Sequence, residues 1–145
     1  MPWGRTCEDF FRYEVPKRSQ MVTSKLAASV VKKIFATDKR IGFCALVDAN
    51  GRLEAGGMRP GVRSLEPKEE TAKIVTRMFL TQSMNQAADP FLGRANWVIV
   101  RRESLVQITF PLPAGEQLQI TATLEYPISK VANLAQFVNQ LATKK

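Results

Sequence analysis

Apolar and polar residues alternate one by one along two stretches of the C-terminal half. Val106, Ile108 and Phe110 are separated by Gln107 and Thr109, and Leu118, Ile120, Ala122 and Leu124 by Gln119, Thr121 and Thr123. A period of two belongs to a β-strand, whose successive side chains point to opposite faces, so each stretch is expected to bury one face and wet the other. Pro113-Ala114-Gly115 supplies the turn between them. Two further strands are expected upstream, Ile41 to Val47 and Arg52 to Ala55, joined through Asp48-Ala49-Asn50-Gly51. Asn-Gly takes the positive φ that a tight hairpin turn requires. Gly56-Gly57 is expected to stop the second of these strands, and Met58 to Arg63 to form a loop with its arginines toward solvent. Asn96 to Arg102, apolar on both faces around Trp97-Val98-Ile99-Val100, reads as one more strand.

Helical spacing fills the gaps. Leu26, Ala27, Val30, Val31 and Ile34 form a stripe of 3.6 period behind a cap at Thr23 or Ser24, ending near Asp38. Pro67 suits a first helical turn, and Glu66, Glu69 and Glu70 suit its positive dipole end, so a second helix runs to about Gln86. Its apolar residues Ile74, Val75, Met78, Phe79, Leu80 and Met84 cover more circumference than one core-facing stripe needs. After Pro127 and Ser129 a last stripe follows at Val131, Leu134, Ala135, Val138 and Leu141. The order is helix, strand, strand, helix, three strands, helix. It implies an α+β fold with a five-stranded antiparallel sheet, expected as a meander with helices on its faces.

At 145 residues the chain fits a single domain, and 45% hydrophobic residues suffice for a core. Residues 1–22 mix Pro2, Gly4, Pro16 and charges without a period and are expected to form an N-terminal extension, leaving residues 23–142 as the domain. The charge of +8 is concentrated toward the N-terminus: residues 1–40 carry nine Lys/Arg against four Asp/Glu. Such an arm attracts nucleic acid, anionic lipid or acidic protein, or simply solubilises. No apolar run approaches the roughly 20 residues that span a bilayer, and the N-terminus lacks the apolar stretch of a secretory signal, so a cytoplasmic location is expected.

The candidate chemistry is sparse. With no histidine, the chain offers no Ser-His-Asp or Cys-His arrangement and no histidine metal site. Cys7 and Cys44 are too few and too far apart for a disulfide framework or a paired metal motif. Gly56-Gly57 lacks the spacing of a phosphate-binding motif, although its amides together with Arg59 and Arg63 could form a loop that holds an anion or a partner. No enzyme activity, cofactor or metal is expected.

The succession of elements over about residues 23–142 resembles the roadblock family, dynein-light-chain-type domains of the roadblock/longin, profilin-like group. The hairpin Val47-Asp48-Ala49-Asn50-Gly51-Arg52-Leu53-Glu54-Ala55-Gly56-Gly57 is similar to the first hairpin of such domains. The run Gly51 to Arg59, with Arg101-Arg102-Glu103, also resembles a family of small archaeal proteins with no assigned function. The roadblock resemblance implies non-enzymatic homodimers or heterodimers that pair second helices and third strands and scaffold or regulate small GTPases. It makes Ile74, Val75, Met78, Phe79, Trp97 and Ile99 the candidate dimer or partner interface, while sequence period fits a covered core equally. A nucleic-acid-associated basic protein and a small-ligand sensor are the competing readings.

Overall fold

The computed structural model describes the backbone of residues 17–143 and the side chains of residues 27–141. Among them lie α1 (Lys17–Thr37), β1 (Ile41–Val47), β2 (Leu53–Met58), α2 (Lys68–Asn85), the short α3 (Asp89–Leu92), β3 (Val98–Arg101), β4 (Val106–Pro111), β5 (Gln117–Ala122) and α4 (Val131–Thr143). Apart from the short α3, which was not expected, the element order and type are those expected. Helix α1 begins at Lys17, ahead of the expected cap at Thr23 or Ser24, while residues 1–16 of the expected extension lie outside the described residues.

The five strands form one antiparallel sheet in the order β2-β1-β5-β4-β3. The meander expectation is corrected here. The long connection through α2 carries the chain across the sheet to start β3 at the far edge, so the returning strand β5 inserts beside β1 in the centre. Strand β2 also runs through Gly56-Gly57 to Met58 instead of stopping at them, pairing Gly56 with Ala45 and Gly57 with Cys44. Positive φ angles of 114° and 149° let these glycines stay in the ladder while the strand twists.

One face of the sheet carries the main core. Ile99, Ile108, Ile120 and Cys44 lie directly across from one another on β3, β4, β5 and β1, under Ala27, Val31 and Ile34 of α1 and Val131, Leu134 and Val138 of α4. Ile108 and Ile120 are fully buried, and each contributes about 1.5 to 3 kcal/mol before entropy is counted. The other face is covered by α2, through a small cluster of Phe43, Ala45 and Val47 with Val75 and Phe79.

That second face overturns the expectation that the polar side of β4 and β5 is wet. Gln107, Thr109, Gln117 and Gln119 are all buried. Alternation reports which residues share a face, but not whether a helix lies over the polar one. Here the glutamines hold that helix: Gln119 Nε2 donates to the Val75 carbonyl at 3.0 Å and Gln117 Nε2 to the Phe79 carbonyl at 3.1 Å.

Candidate functional site

The Asp48 turn sets the end of the first hairpin. Asp48 Oδ1 accepts the amides of Asn50 and Arg52 at 2.9 Å each, and Gly51 closes the turn with φ 84°. Gly51 packs so closely on α2 that a Cβ would come within 3.1 Å of the Phe79 ring. The hairpin tip and two glutamines therefore fix α2 along the sheet.

The candidate interface residues separate into distinct environments. Val75 and Phe79 are buried against the sheet, at 3% and 8% exposure. Ile74 and Met78, on the flank of the same helix, line a cavity. Ile99 is half-buried on the opposite face, packed against the main core, and Trp97 is exposed just before β3. Exposed apolar side chains run from the last turn of α2 into β3: Met84, Phe91, Leu92, Trp97 and Val100. Periodicity did not single out Phe91 and Leu92. They sit in a short turn after Asp89-Pro90, where no repeat is long enough to read. β3 is also an edge strand, paired on one side by β4 alone.

The glycine-arginine loop is divided as well. Arg59 is not solvent-facing: its Nε donates to the Ile41 carbonyl at 2.7 Å, its Nη2 to the carbonyls of Phe35 and Asp38, and its guanidinium stacks on the Phe35 ring at 4.9 Å. The Phe35 and Asp38 carbonyls lie at and just beyond the end of α1, where a helix leaves carbonyls without intrahelical donors, and Ile41 opens β1. Arg59 thus locks α1 to β1, while Gly56 serves the β1–β2 ladder. Arg63 is exposed and stands at the mouth of the cavity that Ile74 and Met78 line.

The cavity measures about 260 Å³ and follows from where α2 lies. Met58, Phe43, Thr121 and Gln107 are direct cross-strand neighbours on β2, β1, β5 and β4. This row is one step beyond the Ala45–Gln119 row on which Val75 sits. The row floors the cavity, Ile74 and Met78 wall it, and Leu65 and Leu105 reach it from two loops.

Charges elsewhere serve the fold. Asp38 holds Arg40 at 2.7 Å and Lys130 at 3.7 Å, and the hydrogen bond from Arg40 keeps its carboxyl far below the usual carboxylate range. Under the first hairpin, burial and the nearby Glu116 and Asp48 push the Glu54 carboxyl up to about 7. Among the described residues, no group of three or more Cys, Asp or Glu side chains is placed to hold a metal ion, and no helix is long and apolar enough to cross a membrane.

No protein-family model and no curated protein matches the chain. Solved structures do. The gliding protein MglB of Thermus thermophilus superposes with a TM-score of 0.65 at 14% identity, covering 85% of this chain and 93% of that one. MglB of Myxococcus xanthus gives a TM-score of 0.68 at 10% identity, covering 91% and 92%. A Roadblock/LC7 domain from Streptomyces avermitilis gives 0.59 at 14%, covering 79% and 90%. Identities this low speak for architecture, and on that ground the chain has a roadblock-like fold.

Proposed function

We propose that this chain is a non-catalytic protein-interaction module, a homodimeric scaffold or regulator that acts on a small GTPase. One observation carries the self-association: β3 ends the sheet with an open edge and exposes Val100, and the chain leading into it exposes Met84, Phe91, Leu92 and Trp97. An open, apolar edge is a template for a second strand, and a two-fold pairing of β3 with β3 would extend the sheet and cover these side chains together. One related MglB structure carries the description of a tetrameric arrangement, which agrees with a fold that self-associates. The GTPase part rests on the resemblance to roadblock domains.

Analytical ultracentrifugation at micromolar concentration tests the first part. A dimer is expected for the native chain and a monomer for Phe91→Asp and Val100→Asp, whose exposed positions leave the core untouched. A native monomer, or charged variants that remain dimers, would refute this interface. Capture of small GTPases by the immobilised dimer, in GDP and GTP forms, tests the second part separately.

A further inference from the structure

We propose that the cavity between α2 and the Phe43–Thr121–Gln107 row binds a small, mainly apolar molecule carrying one carbonyl-type oxygen, held by the side-chain amide of Gln107. The site does not depend on the dimer proposed above, since both its floor and its walls come from one chain.

The size and lining select the body of the ligand. Phe43, Met58, Ile74, Met78 and Leu105 present carbon and sulfur to a volume of about 260 Å³. Scaled from a cavity of about 150 Å³ that accommodates benzene, this suits about ten non-hydrogen atoms. Of the three charged groups around it, two are already engaged, and Arg63 stands exposed at the mouth. Arg40 is paired with Asp38, and Glu66 Oε1 accepts the Thr71 hydroxyl at 3.1 Å. Within the cavity the ligand therefore meets mainly carbon, and Arg63 stands outside that apolar body, at its mouth.

Two amides line the cavity: Gln119, whose Nε2 is held by α2 and whose Oε1 is buried without a partner, and Gln107, whose orientation is fixed from outside and which sets the requirement argued here. Gln107 is 7% exposed and lines the cavity. Its Oε1 accepts a hydrogen bond from Arg102 Nε at 2.8 Å. A guanidinium can only donate, so the amide oxygen must face Arg102, and the group Gln107 has left to offer is the Nε2 donor. A donor in an apolar cavity gains most from an acceptor on the ligand, because the bond forms away from competing water. Arg102 is thus a positioning residue: it decides which end of the amide the ligand meets.

The test uses two probes of one shape, acetophenone and α-methylstyrene, in which an oxygen is exchanged for a methylene. Binding is followed by the methyl resonances of Ile74 and Met78, and affinities are compared between native protein and Gln107→Met. Both probes are expected to shift these resonances. The acetophenone-to-α-methylstyrene affinity ratio is expected to fall about tenfold in Gln107→Met, the equivalent of one hydrogen bond. Met78→Trp, which fills the cavity from its wall, is expected to abolish both. Should Gln107→Met not fold, Arg102→Ala replaces it: the freed amide can turn its oxygen to the ligand, and the ratio must fall. Unmoved resonances, or a ratio unchanged in whichever variant folds, would overturn the proposal.

Discussion

A Cβ placed on Gly56 would lie 2.0 Å from the carbonyl oxygen of Cys44, on the neighbouring strand. The contact is with backbone, so no side-chain movement relieves it, and φ at Gly56 is 114°, a conformation that residues with a Cβ rarely adopt. Gly56→Ala is expected to cost about 3 kcal/mol or more, combining backbone strain with a forced shift of β2. Urea denaturation measures it. A loss below about 1 kcal/mol would mean that β2 does not run through Gly56 as described.

Arg59 gathers three carbonyl groups from Phe35, Asp38 and Ile41. Arg59→Ala is expected to destabilise by about 2 to 3 kcal/mol, since those acceptors lose a charged donor. Arg59→Lys should recover only a minor part, because a single ammonium cannot reproduce the planar fork or the stacking on Phe35. Equal stability of the lysine and arginine forms would remove Arg59 from this role.

Burial raises the Glu54 carboxyl from 4.5 to about 7, with Glu116 and Asp48 adding to it, and Glu54 Oε2 is buried without a protein partner. Between those two values the folded chain holds a proton that the unfolded chain has released. Stability therefore falls as pH rises through this window. Asp38 acts with the opposite sign in a separate, more acidic range, where stability is lost as pH falls below its ordinary 3.8. The melting temperature should be higher at about pH 5 than at about pH 8, and Glu54→Gln should raise the value at about pH 8 by roughly 3 °C and flatten the slope. The burial of Glu116 raises its carboxyl too and leaves a residual slope of the same sign. A variant whose profile parallels the native one would show that Glu54 is ionised in the folded chain.

Cys44 lies in the central strand at 0% exposure, and burial pushes its thiol up to about 12. In a Cys7→Ser background, alkylation by iodoacetamide at about pH 8 should proceed only as fast as the chain opens, since the thiolate is the nucleophile and is neither formed nor reachable in the native state. Rapid, complete labelling would contradict its burial.

The strands and helices were legible because their periods are local. Ile41 to Val47 carries its β-forming run within seven residues, and the start of α2 is announced by Pro67 and its early glutamates. Partners in the sheet were not legible: nothing within β5 states that Leu118 lies against Leu46 instead of a nearer strand. The same limit hid the cover over Gln117 and Gln119, since a polar residue under a helix and one under water look identical along the chain. Gln107 showed no sign of a site, because its meaning depends on Arg102 reaching back across the β3–β4 turn. Of the interface candidates, periodicity placed Val75 and Phe79 on one helix. It had no way to separate them from Ile74 and Met78, which wall the cavity over the Phe43–Thr121–Gln107 row.

The two sides of the sheet will not resist opening alike. On one, α1 and α4 press aliphatic side chains into a continuous oily layer, and parting them exposes all of it at once. On the other, much of what α2 rests on is amide, and amides set free can be satisfied by solvent. Lifting that helix therefore demands far less than dismantling the opposite layer, and its backbone protons should exchange first. The domain is lopsided by construction, with a firm back and a front panel hung on two glutamines.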